Sequence, residues 1–168
     1  VGSERCIRDS VLAMARTNND EQQIALNILL STIEVVAANV KGRHWLVSGT
    51  HFRSLHLEFD DVWKTLLDAA DKVAETQRVI GGVPYTSMTE FVEASVLVWE
   101  DPKIHCGAEL MVERTRNELN VLIEHIHSGV REGFFDPTTE NDVLNISSVL
   151  RHHVLFLDGF LANWTAAV

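Results

Sequence analysis

The chain has 168 residues and a mass of 18.8 kDa, with 46% hydrophobic and 23% charged positions, which is the composition of one globular domain with its own core. This proportion of hydrophobic to charged residues excludes an intrinsically disordered chain. Twenty-four acidic against 14 basic residues give a formal charge of -10, which disfavours nucleic acid and acidic membranes as partners and favours cations.

The sequence indicates a soluble, unexported protein. No stretch reaches the roughly 18 consecutive apolar residues expected of a membrane span, and the first 20 residues mix charges with apolar positions. Cys6 and Cys106 are the two cysteines and lie far apart in the chain, so neither a disulfide framework nor a CxxC metal site is expected. We therefore expect a cytoplasmic protein.

Two long helices are predicted in the first half of the chain. Apolar residues at three- and four-residue spacing predict one helix from about Asp20 to Val47, which ends near Ser48 and Gly49. A second helix is expected from Thr50 or His51 to the pair Gly81-Gly82. The predicted core positions of the two helices are Ile24, Ile28, Leu29, Ile33, Val36, Val40, and Phe52, Leu55, Phe59, Val62, Leu66, Ala70, Val73.

Two further long helices are predicted in the second half of the chain. A third helix is expected from Asp101-Pro102 to about Arg131, where Gly133 stops it, and a fourth from Thr138 or Thr139 to near Trp164. Their predicted core positions are Leu110, Met111, Leu119, Leu122, Ile123, Ile126, and Val143, Leu144, Ile146, Val149, Leu150, Val154, Leu157, Leu161.

The connection between the two halves is too long for a tight turn. It contains a helical segment, Met88 to Leu97, behind a Ser87 or Thr86 cap. Two helical hairpins joined by one long crossover are typical of the ferritin-like topology. We therefore predict an all-α, ferritin-like four-helix bundle over residues 20–168, with a short extra helix in the crossover and an N-terminal extension over residues 1–19.

Four residues of the second helix indicate a metal site. At 100 degrees per residue, His56, Asp60, Asp71 and Glu75 fall within about 100 degrees of one another. The apolar residues Trp63, Leu67 and Ala74 lie on or beside the same stripe. A solvated helix face would not mix these residue types. A single Asp, Glu or His on a helix usually has no such role, so the prediction depends on the whole set.

The spacing of the four residues predicts a site shared between two chains. His56 and Asp71 lie 15 positions apart, or about 22 Å along a helix, so one ion cannot contact both within a chain. A second copy packed antiparallel would bring the His56/Asp60 end of one helix against the Asp71/Glu75 end of the other, giving two sites per dimer with Trp63 and Leu67 between them.

His44 can complete this set from the last turn of the first helix. Two imidazoles and carboxylate oxygens with open positions suit ferrous iron, and also zinc or manganese.

The segment from His44 to Pro84 resembles the Dps miniferritins. The resemblance is carried by HW at 44 and 45, LHLEFD at 55–60, DKVAE at 71–75 and IGGVP at 80–84. It implies a hollow homododecamer that oxidises Fe(II), preferably with hydrogen peroxide but also with O2, and stores the ferric product inside. It also implies that His44, His56 and Asp60 of one subunit hold the metal together with Asp71 and Glu75 from its two-fold mate.

The sequence departs from this family at the N-terminus. DNA-coating members carry a lysine-rich tail, whereas residues 1–19 contain three arginines, two acids and no lysine. A cage of twelve such chains would carry a formal charge of about -120, which argues against direct DNA binding at physiological salt.

Weaker candidates remain. Glu124 and His127 form one ExxH motif, whereas a ferritin-type centre within one chain needs two. His51 is a possible auxiliary ligand, and Trp45 is either a packing residue or, as the resemblance suggests, a ring that intercepts radicals. His125, His127, His152 and His153 are interpreted as exposed or satisfied within the core, with cation binding outside the main site as the alternative. Four acids either cap the last helix or line a three-fold pore that draws in Fe(II): Glu132, Asp136, Glu140 and Asp142.

Two alternative functions stay open from the residues alone. One is a nucleic-acid-compacting protein that protects by physical coating. The other is a plain helical interaction bundle in which the stripe on the second helix is accidental.

Overall fold

The fold is an all-α bundle, as the sequence predicts. A computed structural model describes residues 2–100 and 107–165, with side chains described over 19–100 and 107–162. The helices are α1 (Gly2–Leu46), α2 (Phe52–Val79), α3 (Met88–Ala94), α4 (Ala108–Arg131) and α5 (Pro137–Thr165). Over these ranges the chain contains no strand.

The hairpin of α1 and α2 turns at Gly49. This residue has a φ of 95°, a left-handed conformation that glycine adopts at little cost. The amide of Phe52 donates to the carbonyl of Gly49 at 3.0 Å, which starts α2 only a few residues after α1 ends. The last turn of α1 is thereby held beside the first turn of α2.

The start of α1 differs from the prediction. α1 begins at Gly2 rather than at Asp20, because the Asn-Asn-Asp sequence before Glu21 contains neither Gly nor Pro and does not stop a helix. The separation of residues 1–19 from 20–168 therefore remains a prediction, and α1 runs through that boundary without a break. The predicted start of the third helix at Asp101-Pro102 lies outside the described residues.

The crossover contains the predicted short helix. Ser87 caps α3 in a capping box, in which its side chain accepts from the Glu90 amide and the Glu90 side chain accepts from the Ser87 amide. The helix ends at Ala94 rather than at Leu97, because Ser95 is extended and its hydroxyl donates to the carbonyl of Leu97.

The core lies between the four long helices. Most predicted core residues are buried, with side chains such as Leu29, Phe59, Leu122 and Leu150 fully excluded from solvent. Four predictions were wrong, because these positions lie at the edges of their helical stripes and are exposed in the single chain: Ile24, Phe52, Leu110 and Val149.

One part of α1 is as apolar as a membrane span. Asn19–Leu46 is long and apolar enough to cross a membrane, although the sequence lacks a long uninterrupted apolar run. Most of this segment is buried within the bundle, as is common for the central helix of a helical bundle.

Candidate metal centre

The structure brings His44 and His56 together. His44 lies in the last turn of α1 and is buried, and His56 lies in the second turn of α2 and is partly exposed. Their rings stack with centroids 3.8 Å apart and an angle of 23° between the ring planes. The two imidazoles that the sequence assigned to one site are therefore neighbours within one chain.

Reciprocal hydrogen bonds orient the two rings. His44 Nδ1 donates to the backbone carbonyl of His56 at 2.8 Å, and His56 Nδ1 donates to the carbonyl of His44 at 2.9 Å. A neutral imidazole with a proton on Nδ1 presents Nε2 as its lone-pair donor. Because both Nδ1 atoms are engaged, the two Nε2 atoms are the ones available to a metal ion.

Asp60 lies beside this pair and is held by two lysines. Its Oδ1 atom is 3.9 Å from His44 Nε2 and 3.2 Å from Lys41 Nζ, and its Oδ2 atom is 2.6 Å from Lys64 Nζ. The hydrogen bond from Lys64, with help from Lys41, keeps the pKa of Asp60 below its ordinary value although partial burial opposes this. Asp60 is therefore a charged carboxylate close to the imidazole of His44.

Asp71 and Glu75 lie on later turns of α2 and are exposed. Within the described parts of the chain, no three His, Cys, Asp or Glu side chains are close enough to hold one metal ion. One chain thus places His44 beside both His56 and Asp60, without gathering the three around one point, and leaves Asp71 and Glu75 elsewhere on α2. The assignment of all five to one centre remains a prediction.

An apolar groove opens beside Lys41, one of the two lysines that contact Asp60. It has a volume of about 490 Å³, and Trp45 and Trp99 on its walls are 70% and 54% exposed. Six of its lining residues are Glu34, Lys41, Trp45, Trp63, Leu67 and Trp99. Burial raises the pKa of the Glu34 carboxyl. The predicted seam residues Trp63 and Leu67 therefore lie on a solvent-open apolar surface.

The ExxH motif is engaged in other contacts. The exposed Glu124 pairs with Arg131, whose hydrogen bond lowers the pKa of this carboxyl. His127 Nε2 lies 3.2 Å from the Ser147 hydroxyl. Neither contact directs the pair toward a common ion.

The other predicted histidines have separate surroundings. His153 lies between Glu58 and Thr65, 3.0 Å from a side-chain oxygen of each. His152 is exposed and its Nδ1 donates to the Ser148 carbonyl. Burial lowers the pKa of His125.

Asp136 caps α5, as one of its two interpretations predicted. Its Oδ1 accepts from the amides of Thr138 and Thr139, and its Oδ2 accepts from Gln22 and the Thr139 hydroxyl. Burial alone would raise the pKa of Asp136, but these donors lower it to about 2. Asp142 accepts from Lys72 and Thr76.

Sequence reasoning missed the residues that surround the site. The spacing of Lys64 four positions after Asp60 could have revealed that pair. Arg43, only 3% exposed, donates to Glu118 and Thr115 on α4 and pairs with Glu100. No local spacing predicts contacts across more than 50 positions.

Comparison with known proteins identifies the family of the chain. Residues 23–167 match the model of the ferritin-like domain. A DNA protection during starvation protein of Halobacterium salinarum is 31% identical over 151 residues, which cover 82% of each chain. An uncharacterized protein of Haemophilus influenzae is 30% identical over 84 residues, and there the alignment spans about half of either chain, 50% of this one and 52% of the relative.

A solved structure has the same fold. The Dps protein of Vibrio cholerae, described as a member of a broad superfamily of ferritin-like diiron-carboxylate proteins, superposes with a TM-score of 0.78 at 20% identity. The match covers 86% of this chain and 91% of that protein.

Proposed function

Because the chain belongs to the ferritin-like domain family, as a miniferritin of the Dps type, we propose that it is a ferroxidase and iron-storage protein. Its substrates are Fe(II) and hydrogen peroxide or O2, and its product is a ferric mineral held in a cage of twelve chains. In this role the protein protects the cytoplasm against oxidative stress.

The observation that supports this proposal best is the pair of imidazoles. Reciprocal hydrogen bonds fix both rings with their Nε2 atoms available, next to the carboxylate of Asp60. Two imidazole nitrogens and a carboxylate oxygen are a common ligand set for ferrous iron, and zinc or manganese fit the same set.

The remaining ligands come from a second copy in this proposal. Asp71 and Glu75 lie about 22 Å and more from His56 along α2, and an antiparallel partner would bring its own pair of acids against the imidazoles. The groove beside Lys41 supports the same arrangement, because a second copy would cover its exposed tryptophans. Each dimer would then have two equivalent centres.

The ligands would hold Fe(II) and orient it for electron transfer. Oxidation of two Fe(II) ions supplies the two electrons that split one peroxide O–O bond, so that both oxygens reach the level of water and no hydroxyl radical is released. In the same proposal, acidic residues near the α4–α5 connection, such as Glu132 after α4 and Glu140 in the first turn of α5, lie near the pores that admit Fe(II).

An anaerobic titration of the assembled protein with Fe(II), followed by peroxide, tests the function. We expect saturable Fe(II) binding before the oxidant is added, and then oxidation of about two Fe(II) per peroxide in particles whose native mass corresponds to twelve chains. Oxidation at the rate of free Fe(II) in buffer would refute the proposal. A monomeric or dimeric native mass would instead favour a passive helical bundle.

A further inference from the structure

A carboxylate, an imidazole and a hydroxyl lie in line between α2 and α5. Oε1 of Glu58 is 3.0 Å from Nδ1 of His153, and Nε2 of the same ring is 3.0 Å from Oγ1 of Thr65. The side chains of Glu58 and His153 are only 15% and 12% exposed, so water competes little for these contacts. The packing of α5 on α2 therefore holds the three groups in this order.

The Glu58 carboxylate determines where the proton of the His153 ring lies. An ionised carboxylate only accepts hydrogen bonds, so the Nδ1 atom that faces it carries the proton. Nε2 of the neutral ring then has a lone pair, and the Thr65 hydroxyl donates to it. The proton of this hydroxyl thus points at a base whose other nitrogen is anchored.

The Thr65 hydroxyl differs from two other threonine hydroxyls on the helices. Those of Thr32 and Thr115 donate to the backbone carbonyl four positions earlier, which is a common bond of a threonine inside a helix. The Thr65 hydroxyl contacts the imidazole instead. Its proton is therefore shared with a base rather than with its own helix.

A second pair of hydroxyl and imidazole lacks the carboxylate. His127 Nε2 lies 3.2 Å from the Ser147 hydroxyl, which donates to the Leu144 carbonyl. Within the part of the chain that the structure describes, no carboxylate forms a hydrogen bond with the His127 ring. Of the two pairs, only that of Thr65 and His153 therefore has a base whose tautomer a carboxylate fixes.

Thr65 is partly exposed and lines a groove between α2 and α5. The groove has a volume of about 280 Å³, and its other walls include Ala69, Lys72, Asn145, Ile146 and Val149. The Lys72 ammonium and the Asn145 amide are hydrogen-bond donors of the kind that stabilise negative charge on a carbonyl oxygen. The small volume and the apolar walls suit a short acyl chain.

The groove lies away from the proposed metal ligands. At 100 degrees per residue, Thr65 is about 140 degrees from Asp60 and about 120 degrees from Asp71 around α2. An antiparallel copy that meets the face of Asp60 and Asp71 would leave the Thr65 face open. The group at Thr65 is therefore separate from the metal centre.

We propose that Thr65 and His153, oriented by Glu58, hydrolyse short-chain carboxylic esters. Thr65 Oγ1 bonds to the carbonyl carbon while its proton passes to Nε2 of His153. The C–O bond to the alcohol then breaks, and the alcohol leaves with that proton. A water molecule next attacks the acyl-threonine and gives its proton to His153. The Thr65 oxygen leaves with this proton, which releases the carboxylic acid and restores the hydroxyl.

Ester hydrolysis by the assembled, metal-free protein tests the site. The substrate is p-nitrophenyl acetate, and steady-state release of p-nitrophenol gives the rate. Thr65→Val removes the hydroxyl but keeps a β-branched side chain, and it should lower kcat/KM by about 100-fold or more. Ser147→Ala removes the hydroxyl that faces His127 and should leave the rate unchanged. An equal rate in the wild type and Thr65→Val would overturn the proposal.

A covalent label locates the nucleophile. A fluorophosphonate forms a stable ester with a hydroxyl that an adjacent base activates. Peptide mass mapping should place this label on Thr65 in the wild type and in Ser147→Ala. His153→Asn should abolish the label, because it removes the base. A label that stays on Thr65 in His153→Asn, or that is found on Ser147 instead, would contradict the assigned roles.

Glu58→Gln tests the positioning role of the carboxylate. A glutamine amide both donates and accepts, so it no longer fixes the tautomer of the His153 ring. We expect kcat to fall by about 100-fold or more with KM unchanged, because the groove itself is not altered. A change in KM alone would show that Glu58 supports only the packing of α5 on α2.

Native mass checks the assembly of each variant. If Thr65→Val does not assemble, His153→Asn and Glu58→Gln provide the same comparison of rate and label. Fe(II) does not enter these measurements, so a negative result would remove the hydrolytic site and leave the proposed function unaffected. Thr65→Val should likewise oxidise Fe(II) at the rate of the wild type.

Discussion

His44 and His56 each donate a hydrogen bond from Nδ1 to the backbone carbonyl of the other, at 2.8 and 2.9 Å. The two bonds connect the end of α1 to the start of α2 across the Gly49 turn. They satisfy carbonyl groups and at the same time fix the tautomer of both rings. The same contact therefore holds the end of α1 against the start of α2 and sets the orientation of both imidazole rings.

Asparagine at these positions should separate the two roles. The Asn amide nitrogen occupies nearly the place of Nδ1, so His44→Asn and His56→Asn keep the bond to the carbonyl and lose Nε2. We expect the double Asn variant to lose fast peroxide-dependent Fe(II) oxidation, by about 100-fold or more if these rings are the ligands, with assembly intact. The double Ala variant should lose the same activity and, in addition, about 1 kcal/mol of unfolding free energy per bond. Stopped-flow absorbance and urea unfolding measure the two effects, and an unchanged oxidation rate in the Asn variant would remove the site assignment.

Mixed cages test whether the centre is shared between chains. A His44→Asn/His56→Asn chain lacks the imidazole half, and an Asp71→Asn/Glu75→Gln chain lacks the carboxylate half. Either cage alone should be inactive. After unfolding and reassembly at equal amounts, random pairing should restore about a quarter of the centres, because half of the dimers are mixed and each contains one intact centre.

The control for that experiment mixes the two cages without unfolding them, which should restore nothing. Absence of recovery in properly reassembled particles would mean that both halves belong to one chain. That result would contradict the antiparallel arrangement.

The Asp136 cap should make part of the stability dependent on pH. The pKa of Asp136 in the folded chain is about 2, below the roughly 3.9 of an unfolded Asp. Its contribution is therefore fully present above about pH 4 and is lost as the pH falls through the folded value. Asp136→Ala should lower the unfolding free energy by about 1–2 kcal/mol at pH 7, and this difference should shrink between pH 4 and pH 2.

Urea unfolding at several pH values measures that difference. Glu132→Gln, at the exposed end of α4, serves as the matched control and should change stability little at any pH. A constant difference between the wild type and Asp136→Ala down to pH 2 would contradict the cap assignment.

Replacing the buried Arg43 should lower the free energy of unfolding substantially. Its guanidinium bonds Thr115 and pairs with Glu118, whose side chain is only 12% exposed. Arg43→Met leaves that carboxylate buried without its partner, which should cost about 3–5 kcal/mol of unfolding free energy. The Arg43→Met/Glu118→Gln double variant should recover part of this loss. Equal destabilisation by the single and double variants would show that the ion pair is not the source.

The sequence predicts the parts of this protein that depend on local spacing. Gly49 and Gly133 both have positive φ and end helices where the pattern placed those ends. The His44 and His56 pair was predictable because both lie within a short chain distance of one tight turn. The sequence places Asp71 and Glu75 correctly on α2. A single chain does not show which groups of a second chain these two carboxylates contact.

Contacts between distant segments were not predictable in the same way. Glu58 and His153 are 95 positions apart, and Arg43 and Glu118 are 75 apart, so no helical periodicity connects them. The position of the Lys41 ammonium over the Trp63 ring depends on the angle between α1 and α2. The exposure of Ile24 and Phe52 depends likewise on how far each helix is rotated in the bundle.

The unbroken α2 sets a constraint on chain length as well as on residue identity. Residues 61–70 contain neither Gly nor Pro. This helical segment rigidly connects the part of α2 that carries His56 and Asp60 to the part that carries Asp71 and Glu75. Inserting a single residue there would rotate Asp71 and Glu75 by about 100 degrees relative to His56, although all five proposed ligands would still be encoded. Removing seven would nearly restore the direction but shorten the span by about 10 Å. The length of this segment therefore determines both the distance and the angle between the two groups of proposed ligands. Insertions and deletions in it should be far less tolerated than substitutions on its outer face.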